Sequence, residues 1–270
     1  MKAALVGSGI GQSLTPGMHE AEGRAQGLSY SYDRFDTSLA PWKDMSLAAI
    51  LDHAEERGFA GLNITHPHKM KVGAHLDVLS GASEALGTVN TVVFRDGRRT
   101  GHTTDYSGFG AALRSCGLTC AGACVVQFGA GGAGAATALA LLDAGARLQL
   151  VDREDGRAEA LARQLRAARP EAQIACGASG LGQADGVVNA TPLGMDAYPG
   201  MAFDPAALGP SAWVADIVYF PLETALTRAA RARGLRVMNG GAMALYQAVA
   251  AFELITGKAA DPSRMQAAFR

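Results

Sequence analysis

The chain has 270 residues, 49% of them hydrophobic, which suits two domains of ordinary size with real cores. Its 24 lysines and arginines nearly balance 25 acids at a net charge of −1, with both signs interspersed, so nothing points to nucleic acid or a membrane as partner through bulk electrostatics. The opening MKAALVGSGIG is far too short an apolar run for a signal peptide or a membrane span, and the expectation is a cytoplasmic protein whose cysteines stay reduced.

Residues 3–6 read as a short apolar strand, and GSGIG (7–11) as a flexible turn after it. Ser13 and Thr15 precede Pro16, which is well placed to start a helix, so their hydroxyls serve either as N-terminal caps or as ligands for a polar molecule at the strand's end. A second strand is expected over 28–35, a helix over 47–57 ended by Gly58, and a third strand over 59–64. That strand runs into Thr65-His66-Pro67-His68-Lys69, where the proline opposes further pairing. Asn63, Thr65 and Lys69 therefore stand at a sheet edge as site candidates, against the plainer reading of Lys69 as a solvated side chain. His66 and His68 lack a third ligand at suitable spacing, and Cys116, Cys120 and Cys124 form no C-x-x-C pair, so no metal is expected. Residues 87–93 read as another strand, and because asparagine is depleted in strands, Asn90 has a specific task, structural or ligand-binding. Residues 101–109 enter a helix ending near Cys116-Gly117, where Asp105 is either a cap or a site residue.

The next unit is strand, glycine turn, helix, strand. Residues 124–128 are an apolar strand, Gly129, Gly131 and Gly134 have the G-x-G-x-x-G spacing, residues 135–144 favour a helix, and 148–151 form a strand ending on Asp152. In such a unit the first glycine permits the tight turn, the second lets the backbone approach a pyrophosphate, and the third lets helix and strand pack closely. The turn from Gly129 through Ala130, Gly131, Gly132 and Ala133 to Gly134 then presents a helix N-terminus to the phosphates. Asp152 lies about 20 residues on, at the spacing of the acid that accepts hydrogen bonds from an adenosine ribose.

Residues 12–20, GLNITHPHK at 61–69, 87–91, 101–109 and the 129–134 turn resemble, in order, the shikimate dehydrogenase family. The likeness continues through NATPLGM at 189–195, Asp216 to Tyr219 with Pro221 and Thr224, and Met243 and Gln247 before Phe252 and Thr256-Gly257. Thr15 in place of serine and Asp152 in place of asparagine look more like the NAD-dependent quinate/shikimate branch. One departure is Thr103-Thr104-Asp105 where the family commonly has Asn-Thr-Asp, which leaves the positioning of that acid open.

The resemblance implies an α/β fold in two domains. An N-terminal α/β substrate domain would span 1–104 with the C-terminal helices from about 241–270 returning to it. A Rossmann domain, a doubly wound parallel sheet binding NAD rather than NADP, would span 105–240, with a cleft between the two. By motif, Ser13, Thr15, Asn63, Thr65, Asn90 and Gln247 would hold the hydroxyls and carboxylate of a cyclic polyol acid, with Lys69 and Asp105 flanking the carbon oxidised. Arg153 would join Asp152 at the adenosine end. Asn189, Thr191 and Leu193 would form the loop beside the cofactor, and Val218, Tyr219 and Gly240 the nicotinamide end, with strand-end packing as the alternative for these. Whether Lys69 or Asp105 is the formal base, whether the acid is quinate, shikimate or an amino analogue, and whether the protein is monomer or homodimer stay open. The rival class is a redox sensor that binds NAD and reports to a partner. A sensor is free to lose Lys69 or Asp105, and this chain keeps both. A hydrolase is disfavoured, since Ser13 lacks a G-x-S-x-G setting.

Overall fold

Residues 3–6 have almost no solvent exposure, as an apolar run in a doubly covered strand requires, and they form the middle of β1 (Lys2–Gly7). The computed structural model describes residues 1–177 and 180–269 and divides into two units, 1–104 with 247–270, and 105–246.

In the first unit β1 is followed by α1 (Thr15–Ala25), β2 (Ser31–Asp36), α2 (Leu47–Glu56), β3 (Phe59–Ile64), β4 (Val78–Leu79), α3 (Gly81–Leu86), β5 (Thr91–Arg95) and β6 (Arg98–His102). The six strands run in the order β2-β1-β3-β5-β6-β4. β1 is parallel to β2 and β3, whereas β5 is antiparallel to both β3 and β6, so the sheet is mixed. Register sets Val6 opposite Ile64, Asn63 opposite Thr91, and Thr91 opposite His102. The carboxyl ends of β1, β3 and β6 and the amino end of β5 therefore share one edge, and the segments that leave it carry Ser13, Thr65 and Asn90.

Two strands start later than the sequence pattern suggests. Leu28 donates its N–H to Gly23 and Gly27 its own to Arg24, with Gly27 at φ +68°, so these residues close α1 and β2 begins only at Ser31. Likewise Gly87 closes α3 in the left-handed region, and β5 starts at Thr91, leaving Asn90 just outside it.

The second unit opens in α4 (Thr104–Ser115) and continues through β7 (Cys124–Phe128), α5 (Gly132–Asp143), β8 (Arg147–Val151), α6 (Arg157–Ala168), β9 (Ile174–Cys176), β10 (Gly186–Asn189), β11 (Trp213–Asp216), α7 (Ala225–Ala232) and β12 (Arg236–Met238). Its strands lie in the order β12-β11-β10-β7-β8-β9, and every pairing is parallel. Counted from β7, this is the doubly wound order that reverses between its first and fourth strands, and that reversal leaves a crevice at the carboxyl ends of β7 and β10. Among the described residues no helix is long and apolar enough to cross a membrane.

The chain leaves this unit within α8 (Gly240–Thr256), and α9 (Pro262–Ala267) packs on α1. Met265 is fully buried there, and the solvent-inaccessible carboxylate of Glu22 accepts bonds from Arg264 Nη2 at 2.6 Å and Nε at 2.8 Å, Gln26 Nε2 at 2.6 Å, and the Asp261 N–H at 3.0 Å. The Arg264 hydrogen bonds, against an opposing effect of burial, hold the Glu22 carboxyl at about 2, below the ordinary 4.5. The ionised form thus favours the folded state above about pH 4.5, and that contribution fades as pH falls toward 2. Glu22→Gln should lower the melting temperature by a few degrees at pH 7, and the gap to wild type should narrow in melts taken below about pH 4.

Candidate functional site

In the first unit the loop after β1 is held from below. Asp36, at the end of β2, accepts the N–H groups of Gly9 at 3.0 Å and Ile10 at 3.1 Å, and Arg34 Nη2 donates to the Ser13 carbonyl at 3.0 Å. The Ser38 hydroxyl bond, with the backbone N–H bonds, brings the Asp36 carboxyl down to about 2, so the anchor stays ionised through ordinary pH. The capping reading of Ser13 and Thr15 does not hold. Leu14 is the cap residue and makes no side-chain cap bond, Thr15 is the first helical residue, and Ser13 Oγ reaches only the Thr15 N–H, at 3.4 Å. Both hydroxyls are half-buried, and Ser13 Oγ gives the start of the helix no more than this one long bond.

The turn after β3 is anchored along its length. Thr65 N–H donates to Val6, the Ser8 N–H to His66, Thr37 Oγ1 meets His68 Nε2 at 2.9 Å, and the Val89 N–H donates to Lys69. Lys69 thus sits, half-buried, on a fixed turn. Gly7 is part of this arrangement, since a Cβ there would lie 2.2 Å from Thr65 Cγ2 and 3.1 Å from the His66 carbonyl.

Asn63 is buried and its bonds run inward. Its Oδ1 accepts from the Tyr32 hydroxyl at 2.6 Å and its Nδ2 donates to Thr91 Oγ1 at 3.0 Å. Asn90 Oδ1 accepts from the Thr104 N–H at 2.6 Å and the Thr104 hydroxyl at 3.1 Å. It therefore takes at the start of α4 the capping role that the sequence allowed for Asp105, and Asp105 occupies the first turn, where the helix dipole favours its negative charge. Gln247 lies half-buried on α8 at the start of the returning segment.

The second unit holds a cavity of about 730 Å³ at the carboxyl ends of β7 and β10. Three glycines of the turn have reasons of their own. Gly129, at φ +99°, abuts the Ala190 carbonyl, 2.5 Å from where a Cβ would stand, and at Gly134 a Cβ would lie 2.3 Å from the Gly129 carbonyl oxygen. Gly131 faces open space at the start of α5, the position at which a backbone can approach a pyrophosphate. Asp152 Oδ2 accepts the Ala130 N–H at 2.7 Å and Oδ1 the Glu154 N–H at 2.9 Å. The cavity and this donor set fit a dinucleotide: N–H groups at a helix N-terminus for phosphates, and a fixed carboxylate for ribose hydroxyls.

The wall includes Gly129, Gly131, Gly132, Ala133, Asp152, Arg153, Thr191, Leu193, Val218 and Tyr219. Ala130, Gly134, Asn189 and Gly240 support it from behind. Asn189 is fully buried: its Oδ1 accepts from Thr191 N–H and hydroxyl at 3.0 and 2.7 Å, and its Nδ2 donates to the Leu193 carbonyl and to Asp216. Asp216, itself buried, also accepts the Thr224 hydroxyl at 2.6 Å and the Val218 N–H at 3.1 Å, so one carboxylate ties together the loops carrying Thr191 and Val218. Burial pushes its carboxyl above the usual range, against those hydrogen bonds. At Gly240 a Cβ would lie 2.3 Å from the Val218 carbonyl oxygen, so this glycine permits close packing.

Sequence reasoning missed Arg157, Met195 and Tyr198, which also line the cavity, and Gln127 beneath it. Arg157 forms an ion pair with Glu154, so Glu154 is not a lone negative charge beside Asp152. Gln127 donates to the carbonyls of Gly129 at 2.9 Å and Gly134 at 2.8 Å and accepts from Thr137, pinning both ends of the turn. A glutamine inside an otherwise apolar strand was the available signal.

Residues 5–92 match the family described as the shikimate dehydrogenase substrate binding domain. A shikimate dehydrogenase (NADP(+)) of Pseudarthrobacter chlorophenolicus is 49% identical over 98% of this chain and 92% of its own length. A quinate/shikimate dehydrogenase (NAD(+)) of Corynebacterium efficiens is 47% identical over 98% and 96%. Among solved structures, a quinate dehydrogenase from Corynebacterium glutamicum in complex with NAD superposes with a TM-score of 0.95 at 46% identity, covering 100% of this chain and 98% of that one.

The two inner glycines should separate under substitution. Gly131→Ala, with room for a methyl group, should leave the melting temperature within about 1 °C while weakening dinucleotide binding about tenfold. Gly134→Ala should lower both, as seen by thermal melts and calorimetric titration.

Proposed function

The chain belongs to the shikimate dehydrogenase family, and from that premise we propose that it oxidises the ring 3-hydroxyl of shikimate and quinate with NAD as the hydride acceptor. The observation that most supports NAD is the carboxylate of Asp152 on the cavity wall at the end of β8. It can accept from both hydroxyls of an unphosphorylated ribose, whereas a 2′-phosphate would bring like charge against it. Two unit charges about 4 Å apart cost roughly 1 kcal/mol in water and about 4 at an effective dielectric of 20, or about fivefold to several hundredfold in affinity. Arg153 and Arg157 line the same cavity and work the other way. Arg157 is engaged by Glu154, and Arg153 is exposed and can swing into solvent, so the fixed acid sets the preference.

In this reading the half-buried hydroxyls of Ser13 and Thr15, Thr65, the amide nitrogen of Asn90, and Gln247 hold the hydroxyls and carboxylate of the acid. Asn63 acts through the side chains it bonds. The C3 hydrogen would pass with its electron pair to a nicotinamide held in the cavity, and this chain's own residues would take the hydroxyl proton as the carbonyl forms. NAD, when bound, supplies the hydride acceptor, which must stand about 3–3.5 Å from the carbinol carbon. Lys69 is assigned to moving the hydroxyl proton and Asp105 to orienting the reacting group, as a carboxylate in the first turn of a helix can do without being the formal base.

Steady-state kinetics with shikimate and quinate test this reading. Both acids should turn over with NAD, and Lys69→Ala should lower kcat by about 10²-fold or more with much less change in KM. A Lys69→Ala variant of near-normal kcat would remove that assignment, and turnover of shikimate alone would move the chain out of the quinate branch. Absence of turnover with any cyclohexane polyol acid would favour an NAD-binding sensor.

A further inference from the structure

Thr91 has no place in the substrate set above, yet it is fully buried at the point where β3, β5 and the start of α4 meet. Its hydroxyl lies 3.0 Å from Asn63 Nδ2, 3.2 Å from Asn90 Oδ1 and 3.3 Å from Thr104 Oγ1. A hydroxyl has one proton to give. Asn63 Nδ2 can only donate, so it occupies a lone pair of Thr91, and the Thr91 proton is free to go to Asn90 Oδ1. Upstream, Asn63 Oδ1 accepts from the Tyr32 hydroxyl at 2.6 Å, and burial holds the Tyr32 phenol well above its ordinary value, so it remains a donor. The chain therefore runs one way, from Tyr32 O–H to Asn63, from Asn63 N–H to Thr91, and from Thr91 O–H to Asn90.

Resting on the function proposed above, we propose that Thr91 is a positioning residue that locks the Asn90 amide with its oxygen turned inward and its Nδ2 donor presented to an oxygen of the bound acid. The Thr104 N–H and hydroxyl converge on the same oxygen. Thr91 adds the link to β3, so that the amide is fixed by two segments of the unit rather than by α4 alone. Losing the hydroxyl leaves Asn63 Nδ2 with only the Asn90 carbonyl at 3.4 Å and leaves Asn90 Oδ1 held from Thr104 alone, which costs most where the amide must keep one orientation.

The test is kinetic, on the full chain with NAD. Thr91→Val keeps the shape and removes the hydroxyl. It should lower kcat/KM for the acid by about tenfold or more while KM for NAD stays within about twofold, and Thr91→Ser should restore the wild-type value. In an Asn90→Ala background the same substitution should add less than about twofold, because the amide it orients is gone. An equal penalty in both backgrounds, a Thr91→Val variant within about twofold of wild type, or failure of Thr91→Ser to rescue would overturn the proposal. If Thr91→Val does not melt cooperatively, Tyr32→Phe decides, since it breaks the same chain at its first donor. A loss of about threefold or more in kcat/KM for the acid supports the proposal and an unchanged value overturns it. Wild-type turnover is measured first. Its absence overturns the proposed function and this inference with it, whereas wild-type turnover with an unaffected Thr91→Val overturns the inference alone.

Discussion

The bond from the Ala130 N–H to the Asp152 carboxylate, 2.7 Å long, is the constraint on which the proposed dinucleotide site depends. β7 and β8 are adjacent and parallel, with Phe128 opposite Val151, so the turn leaving one strand meets the acid ending the other. A charged acceptor on a backbone donor makes a short and comparatively strong hydrogen bond. It satisfies a donor that would otherwise compete for the ligand, and it fixes the carboxylate before any ribose arrives. With Gln127 holding the carbonyls of Gly129 and Gly134, the turn is braced on both sides, and the N–H groups at the start of α5 are left for phosphate.

The first unit solves a similar problem with a mixed sheet. Reversal of β5 relative to β3 brings the amino end of one beside the carboxyl end of the other, so Asn63 and Asn90, far apart in sequence, share Thr91. Loops after β1 and β3 are tied through Ser8, His66 and Val6, and Gly7 lets them approach. The side chains proposed to hold the cyclic acid are thereby carried on segments with little freedom, so less entropy would be lost on binding.

Much of this was legible in the sequence. The glycine spacing, the strand before it and the acid after it pointed to the turn and the carboxylate that line the second unit's cavity, because those signals are local and each has one physical cause. The strand-end segments around Ser13, Thr65 and Asn90 were legible for the same reason. What could not be read was which polar side chains spend their bonds internally. Asn63, Asn189 and Asn90 Oδ1 bond to groups set beside them by sheet register, by a loop that folds back, or by a helix start further on. The pairing of Arg157 with Glu154, which changes the charge near Asp152, depends on side-chain rotamers that no spacing rule gives.

The central claim is that a fixed carboxylate at the end of β8 selects the unphosphorylated ribose. It is tested most directly by kcat/KM for NAD and NADP at fixed acid concentration, in the wild type and in Asp152→Asn. The wild type should favour NAD by at least about fivefold, and the variant should shift toward NADP while losing efficiency with NAD, because an amide offers one oxygen where the carboxylate now serves two N–H groups. Equal values for the two cofactors in the wild type, or no shift toward NADP in the variant, would contradict it.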